Sequence, residues 1–536
     1  MGIKSKPYQT DFLGSAGVVA AAHPLAAEAG IDVLTQGGNA FDAAAACSAA
    51  LNVVEPFMSG LAGMGVATCY VAREGRVRTL DFCPPVPRAL PTGDLRGRLE
   101  EWSPSTIAPP GNLAGWAHLV GTYGKGTLAE ALEPSIRLAD LGFELTPFGA
   151  EQISLRIKEL VQTESPGAAG IIRTYSDGTG DVNAGYRLRQ QRLAATLTAI
   201  QSEGIDYLYS GPLGEELVDT VAKEGGWVTA EDLTLYRPRW GNPVTIRYGE
   251  LEVSTLAPPS EAFQFLATLR IVEGAALSDT THAESVGHLD AIFRAARLAA
   301  GLRIRYNLPS RHELNYLLGD EHMAHLWRRL RDGVPIEGPT ERGSSWGSVP
   351  EQHTTSLSVS DSDGNVVCIT QSLGSVFGSG IVLEDFGVCL NNFLRWGAVD
   401  SNSSIALRPG GPIARPMAPA IATRGGRPTL AIGSPGSYGI PQHQAQVFVR
   451  HIDFDQNIQA AIEAPRGRLT DGRALLLESR VPASVQRKLE GRGHVVEVGP
   501  AWTRSAGGVQ AIVIDPASGL QYGGCDPRRD GAVRVV

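Results

Sequence analysis

The 536-residue sequence is poor in the patterns that announce metal, redox or nucleic-acid chemistry. Its six cysteines, at 47, 69, 83, 368, 389 and 525, form no Cys-x-x-Cys pair and keep no Cys/His ligand spacing. They read as buried thiols of a reducing compartment. There is no His-Glu-x-x-His, so no metal and no other cofactor is expected. No block of five or more basic residues occurs, which argues against nucleic acid as a partner. No uninterrupted apolar run reaches the ~18 residues of a membrane span.

What is present fits a large, turn-rich enzyme. Apolar residues make up 43% of the chain, enough for a sizeable core, and the 63 Gly and 34 Pro are spread rather than clustered. Net charge is −9. Lys4 and Lys6 precede an apolar stretch, 12–22, that loosely mimics a signal peptide. Asp11 at its mouth and the interrupting Gly and Ser argue instead for a first β-strand and a cytoplasmic protein.

Local chemistry predicts the next elements. Pro24 suits the first turn of a helix over 24–35, which Gly37-Gly38 can stop. Asn39 can cap a second helix, 40–54, with Asp42 at the capping-box position. Strands follow at 66–71 and 77–82. Residues 112–340 read as mainly helical, with patterns at 128–140, 188–203, 211–223, 260–275, 284–303 and 321–332, a block expected to wrap one side of a sheet core. The Pro/Gly-rich segment 333–350 is expected to be exposed.

After it the texture turns to β. Thr355–Ser360 and Val366–Leu373 flank the turn Asp361-Ser-Asp-Gly-Asn365 and predict a hairpin. Further strands are expected at 380–383, 387–391, 429–433, 509–514 and 520–523, with helices at 440–451 and 456–464.

The chemistry is read at His353-Thr354-Thr355-Ser356. Two threonines before a strand ordinarily mean β-propensity and no more. This pair follows a long irregular segment and opens a buried hairpin. If the chain were cut before Thr354, its hydroxyl and a new α-amine would share one residue. A Thr hydroxyl needs a base. A free α-amine, with a pKa of about 7.7–8.0, is partly neutral at physiological pH and can serve.

Several further pieces join this one: Gly30–Ala44, Leu80-Asp81-Phe82, Ala257–Glu261, Asp363-Gly-Asn365, Phe377–Val382, Leu390-Asn391-Asn392-Phe393, Gly433-Ser-Pro-Gly-Ser437 and Asp526-Pro-Arg528. Together they make the sequence resemble the γ-glutamyltranspeptidase family of N-terminal-nucleophile hydrolases over nearly its whole length. The resemblance implies an α/β (α+β) fold, a four-layer αββα sandwich. It implies self-cleavage between His353 and Thr354 into a large subunit, 1–353, and a small one, 354–536, intertwined in one domain; further homodimerisation is left open. Thr354 would be acylated by a small-molecule amide and released by water or an amine. Ser372 falls where the family has a hydroxyl that orients the nucleophile. The N–H groups of Gly436 and Ser437, at a strand-to-helix junction, are the candidates for an oxyanion site.

The resemblance also has gaps, all in the acyl subsite. The family holds the glutamyl carboxylate with an Arg where this chain has Cys83. Its amine-binding acid corresponds to Trp396, with Arg395 before it. Paired serines are missing from Arg415-Pro-Met417. Asn392, Phe393, Arg395, Trp396 and Cys83 are therefore the candidate substrate contacts. Arg88, Arg395 or Arg415 near a small pocket would favour a short acid amide such as oxamate. Trp396, Phe393 and Cys83 would favour a bulkier acyl group. The alternatives are a glutathione hydrolase or transferase with non-standard glutamate contacts, and an unprocessed scaffold protein.

Overall fold

A computed structural model describes residues 13–99, 102–275, 282–332, 336–340, 353–403 and 405–536. Its centre is a pair of seven-stranded sheets. In chain order the strands are β1 (Leu13–Gly14), β2 (Gly17–Ala21), β3 (Met64–Val71), β4 (Arg76–Phe82), β5 (Arg239–Gly241), β6 (Val244–Tyr248), β7 (Leu251–Thr255), β8 (Thr355–Asp361), β9 (Val366–Ser372), β10 (Ala420–Arg424), β11 (Arg427–Gly433), β12 (Gln510–Ile514), β13 (Gln521–Cys525) and β14 (Ala532–Val535). One sheet runs β14-β2-β8-β9-β3-β4-β5 and the other β1-β13-β12-β11-β10-β7-β6. Each contains strands from both sides of residue 354.

Small apolar clusters join the inner faces of the sheets. Tyr70, Val366, Cys368, Ile421 and Ala431 form one, and Val18, Ala20, Ile512 and Val533 another. The outer face of the first sheet packs on α1 (Pro24–Thr35) and α2 (Ala40–Val54). The outer face of the second packs on α3 (Phe263–Ala275), α4 (Val286–Arg305) and α5 (Ile440–Ile452). These are the four αββα layers. Strands covered on both faces lose the polar/apolar alternation, and every residue of β8 and β9 is buried.

The elements that carry the site form for local reasons. Asn39 and Asp42 make a capping box at the start of α2. The β8–β9 turn is tied by Asn365 N donating to Asp361 Oδ1 at 2.9 Å, with Gly364 at φ 87°. Asp361 Oδ2 also accepts from Ala40 N at 2.8 Å, so the hairpin turn holds the N-terminus of α2.

Three expectations change. The single first strand is two, β1 and β2, which belong to different sheets, so the chain changes layer at Ser15-Ala16. The 112–340 block does not wrap one side. Helices from Asn112 to Thr234 cover the first sheet, the chain then contributes β5, β6 and β7, and α3 and α4 cover the second. The strands were hidden because they are short and carry Arg239, Arg247 and Glu252 outward. Of the 333–350 segment only 336–340 lie within the described residues. Thr340 there is buried, with its N–H donating to Asp471 Oδ1 at 2.7 Å.

Candidate active site

Thr354 immediately precedes β8, and none of its surface is exposed. Its backbone is unusual, with φ at 131°. A β-branched residue there clashes with its own backbone, a cost of about 1–3 kcal/mol that persists only where the surroundings impose it. The bond to His353 thus leads into a strained residue. The Thr354 hydroxyl is buried and has no hydrogen-bond partner among the described residues. Other buried hydroxyls, among them Ser48, Ser356 and Thr370, also lack a partner there, so what sets Thr354 apart is the strained backbone beneath its hydroxyl.

The surroundings of Thr354 come from distant parts of the chain. Arg529 Nη1 donates to the Thr354 carbonyl at 3.1 Å. Thr355 Oγ1 donates to Glu55 Oε2 at 2.7 Å. Glu55 closes the C-terminus of α2 and is wholly buried. Burial pushes its carboxyl up to about 7, against the lowering effects of the Thr355 hydrogen bond and the Arg529 charge. A cavity of about 310 Å³ lies beside His353, lined also by Met58, Phe148, Trp502 and Arg529.

Ser372 ends β9. The hairpin register pairs Thr355 with Gln371, so Ser372 stands across from Thr354. The Ser372 hydroxyl accepts from Gly374 N at 2.9 Å, which leaves its proton to donate elsewhere.

The second sheet supplies the remaining wall. At Gly433 a Cβ would lie 2.4 Å from Ser356 Oγ, so a larger residue there would have to displace the Ser356 side chain between β11 and β8. The chain then turns through Gly436 at φ 129° and Ser437 at φ 52° before entering α5. The N–H groups of Gly436 and Ser437 donate to no acceptor among the described residues. The Ser437 hydroxyl is likewise buried and unpaired there. Two free donors in adjacent residues at a helix entry suit a developing negative charge.

Behind this loop lies a cluster of buried charges. Arg466 and Arg528 hold Asp526, the latter at 3.1 Å, and Arg528 Nε donates to Glu478 Oε1 at 2.6 Å. His443, in the first turns of α5, packs against Gly436, Gly439 and Gly507. Burial, reinforced by Arg466, Arg468, Arg528 and Arg529, holds its imidazole well below its ordinary value and therefore neutral. Glu55, Arg529 and His443 escaped the sequence reading. Glu55 had one signal: an anion at the C-terminal end of an apolar helix is electrostatically misplaced unless it has another partner.

The acyl-subsite candidates divide. Asn392 spends its amide on Ser375, accepting from its N–H at 2.9 Å and donating to its hydroxyl at 3.0 Å. Arg88 is half exposed beside Asp232. Arg415 is buried, with Nη2 2.6 Å from Asp81 Oδ1 and Nη1 donating to Ile413 O at 2.9 Å. Cys83 donates to Gly65 O at 3.2 Å, and burial raises its thiol, so it stays neutral. Phe393 and Trp396 sit on a buried 3-10 turn with Arg395 between them. Trp396 lies 5.9 Å from Phe393 and 6.3 Å from Tyr438, ring centre to ring centre. This aromatic line runs to the residue next to Ser437. No group of three His, Cys, Asp or Glu that could hold a metal occurs among the described residues.

The family described as Gamma-glutamyltranspeptidase matches residues 26–536. Acylase ACY 1 proenzyme of Pseudomonas sp. (strain V22) is 32% identical over 96% of this chain and 92% of its own. Glutathione hydrolase proenzyme of Bacillus subtilis (strain 168) is 31% identical over 98% and 92%. The crystal structure of cephalosporin acylase from Bacillus halodurans superposes with a TM-score of 0.88 at 29% identity, covering 100% of this chain and 99% of that one.

Proposed function

Because this chain belongs to the γ-glutamyltranspeptidase family of hydrolases and acylases, we propose that it is a proenzyme that cuts itself before Thr354 and then hydrolyses amides of a non-glutamyl, largely apolar acyl group. The observation that carries this reading is the unpaired, buried Thr354 hydroxyl on a strained residue immediately before β8, and the two free N–H groups of the 436–437 loop support it.

In maturation, Thr354 Oγ1 attacks the His353 carbonyl carbon. The C–N bond breaks as the proton moves to nitrogen, and an ester links His353 to the Thr354 side chain. Relief of the φ 131° strain favours this step. Water from the cavity beside His353 hydrolyses the ester, leaving a carboxylate on His353 and a free hydroxyl and amine on Thr354. In turnover, that amine takes the hydroxyl proton as Oγ1 bonds to the substrate carbonyl. The oxyanion forms against the N–H groups of Gly436 and Ser437, and Ser372 orients Oγ1. The proton passes to the leaving amine, and water repeats the sequence on the acyl-enzyme.

The acyl preference rests on what surrounds the family's glutamate position. Cys83 is neutral, and Arg415 is already neutralised by Asp81. Trp396 packs there with Phe393 and Tyr438, on the turn that also carries Arg395. The test is a panel of p-nitroanilides with γ-glutamyl, oxamyl, acetyl, glutaryl and phenylacetyl groups. The processed enzyme is expected to favour the bulky apolar acyl groups. Efficient, saturable γ-glutamyl turnover would overturn the assignment.

A further inference from the structure

Arg529 touches the nucleophilic residue through that residue's own carbonyl. Backbone geometry then places the guanidinium within about 6–7 Å of the Thr354 nitrogen. We propose that Arg529 is a positioning residue that keeps the amine released at Thr354 in its neutral, proton-accepting form. The inference rests on the reading that Thr354 becomes the N-terminal nucleophile.

The argument is electrostatic. An ammonium on Thr354 would face a like charge across a dry interior, and a like charge at such range disfavours the charged form. Arg529 itself stays protonated at neutral pH, although burial brings it down to about 10. Three carboxylates act on it, those of Glu55, Asp526 and Asp530. Asp526 is held by Arg466 and Arg528 and accepts from Val509 N at 3.0 Å. Asp530 is pushed up by burial and accepts from Thr146 Oγ1 at 2.5 Å. Glu55 is half protonated at about pH 7. On the cationic side, Arg504 faces Arg529 while pairing with Glu151 at 2.8 Å. His443 is neutral, and His353 lines the same cavity as Arg529. Arg529 thus sets a positive charge beside the amine, against the carboxylate that self-cleavage leaves on His353 and the Glu55 charge that grows as pH rises through about 7. A lowered amine pKa places more of the base in its working form without moving the hydroxyl.

The test needs no knowledge of the natural substrate. Cyanate carbamylates only neutral amines, and peptide mass mapping reads the N-terminus of the small subunit directly. The pH midpoint of Thr354 carbamylation in the wild-type processed enzyme is the reference. In Arg529→Gln it should rise by about one unit or more, and Arg529→Lys should bring it back toward wild type. A merely structural Arg529 would slow the reaction at all pH values without moving the midpoint, and an unmoved midpoint overturns the proposal. If Arg529→Gln does not process, the two subunits are co-expressed, the small one beginning at Thr354, and the same comparison of midpoints is made on the assembled enzyme. Failure of the underlying reading looks different: no wild-type small subunit would begin at Thr354.

Discussion

Arg415 Nη2 lies 2.6 Å from Asp81 Oδ1, and this pair neutralises a buried guanidinium. Arg415 is 1% exposed, so the two charges depend on each other. Asp81→Asn keeps an acceptor for Cys83 N but strands the cation, at a cost of about 3 kcal/mol. Asp81→Asn with Arg415→Met removes both charges and should recover most of that loss. Urea unfolding of the single and double variants measures it. A single variant within about 0.5 kcal/mol of wild type would mean solvent already screens the pair.

Self-cleavage should require the Thr354 hydroxyl. Wild type is expected to give bands of about 37 and 19 kDa, the 56.8 kDa chain divided at residue 353. Thr354→Ala should stay whole. Thr354→Ser keeps a hydroxyl and should process more slowly, because Ser lacks the β-branching that makes φ 131° costly. A denaturing gel over time checks all three. Cleavage of the Ala variant would relocate the nucleophile.

How much of this was legible in the sequence follows from distance along the chain. α1, α2 and the β8–β9 hairpin were readable because Pro24, Asn39, Asp42 and Gly364 act on their own neighbours. Thr354 was readable because its chemistry is contained in one residue. Glu55 and Arg529 were not, since their partners Thr355 and Thr354 are 300 and 175 residues away. Arg415 was visible as a cation but not as a neutralised one, because nothing local announces Asp81. The β6–β7 strands were lost between long helices, where alternation over five residues is a weak signal.

Ser437 holds a left-handed backbone, φ 52°, which glycine adopts without a Cβ penalty. Ser437→Gly should stabilise the protein by about 1 kcal/mol. It keeps the N–H donor, so processing should continue. Ser437→Val places a β-branched side chain in the same conformation and should both destabilise the fold and slow cleavage. Denaturant midpoints with gel time courses test the pair. Equal effects of Gly and Val would show that the hydroxyl, rather than the backbone, matters.

Glu55 gives the stability a pH dependence of known sign. Its carboxyl is raised from 4.5 to about 7 in the folded state. The folded protein therefore binds a proton that the unfolded chain has released, and stability from the neutral form is complete below about 4.5. It is lost as pH rises through about 7, on the order of 3 kcal/mol over that window. Glu55→Gln fixes the neutral state and can still accept from Thr355, so it should flatten this part of the profile and be the more stable protein at pH 8. Chemical unfolding at pH 5, 6, 7 and 8 measures both. A parallel fall in the Gln variant would assign the titration to another group.

Trp396 is where the acyl preference can be tested without touching the reacting atoms. Its ring is buried beside Phe393 and Tyr438. A ring that packs on an apolar acyl group contributes 1.5–3 kcal/mol of transfer energy. Trp396→Ala should therefore lower kcat/KM for a phenylacetyl anilide by roughly 10- to 100-fold. An acetyl anilide, too short to reach the ring, should lose little. Because the contact is made before and during the reaction alike, the loss should fall mainly on KM. Equal losses on both substrates would show that Trp396 supports the 3-10 turn rather than the acyl group. Retention of phenylacetyl turnover would move the acyl pocket elsewhere.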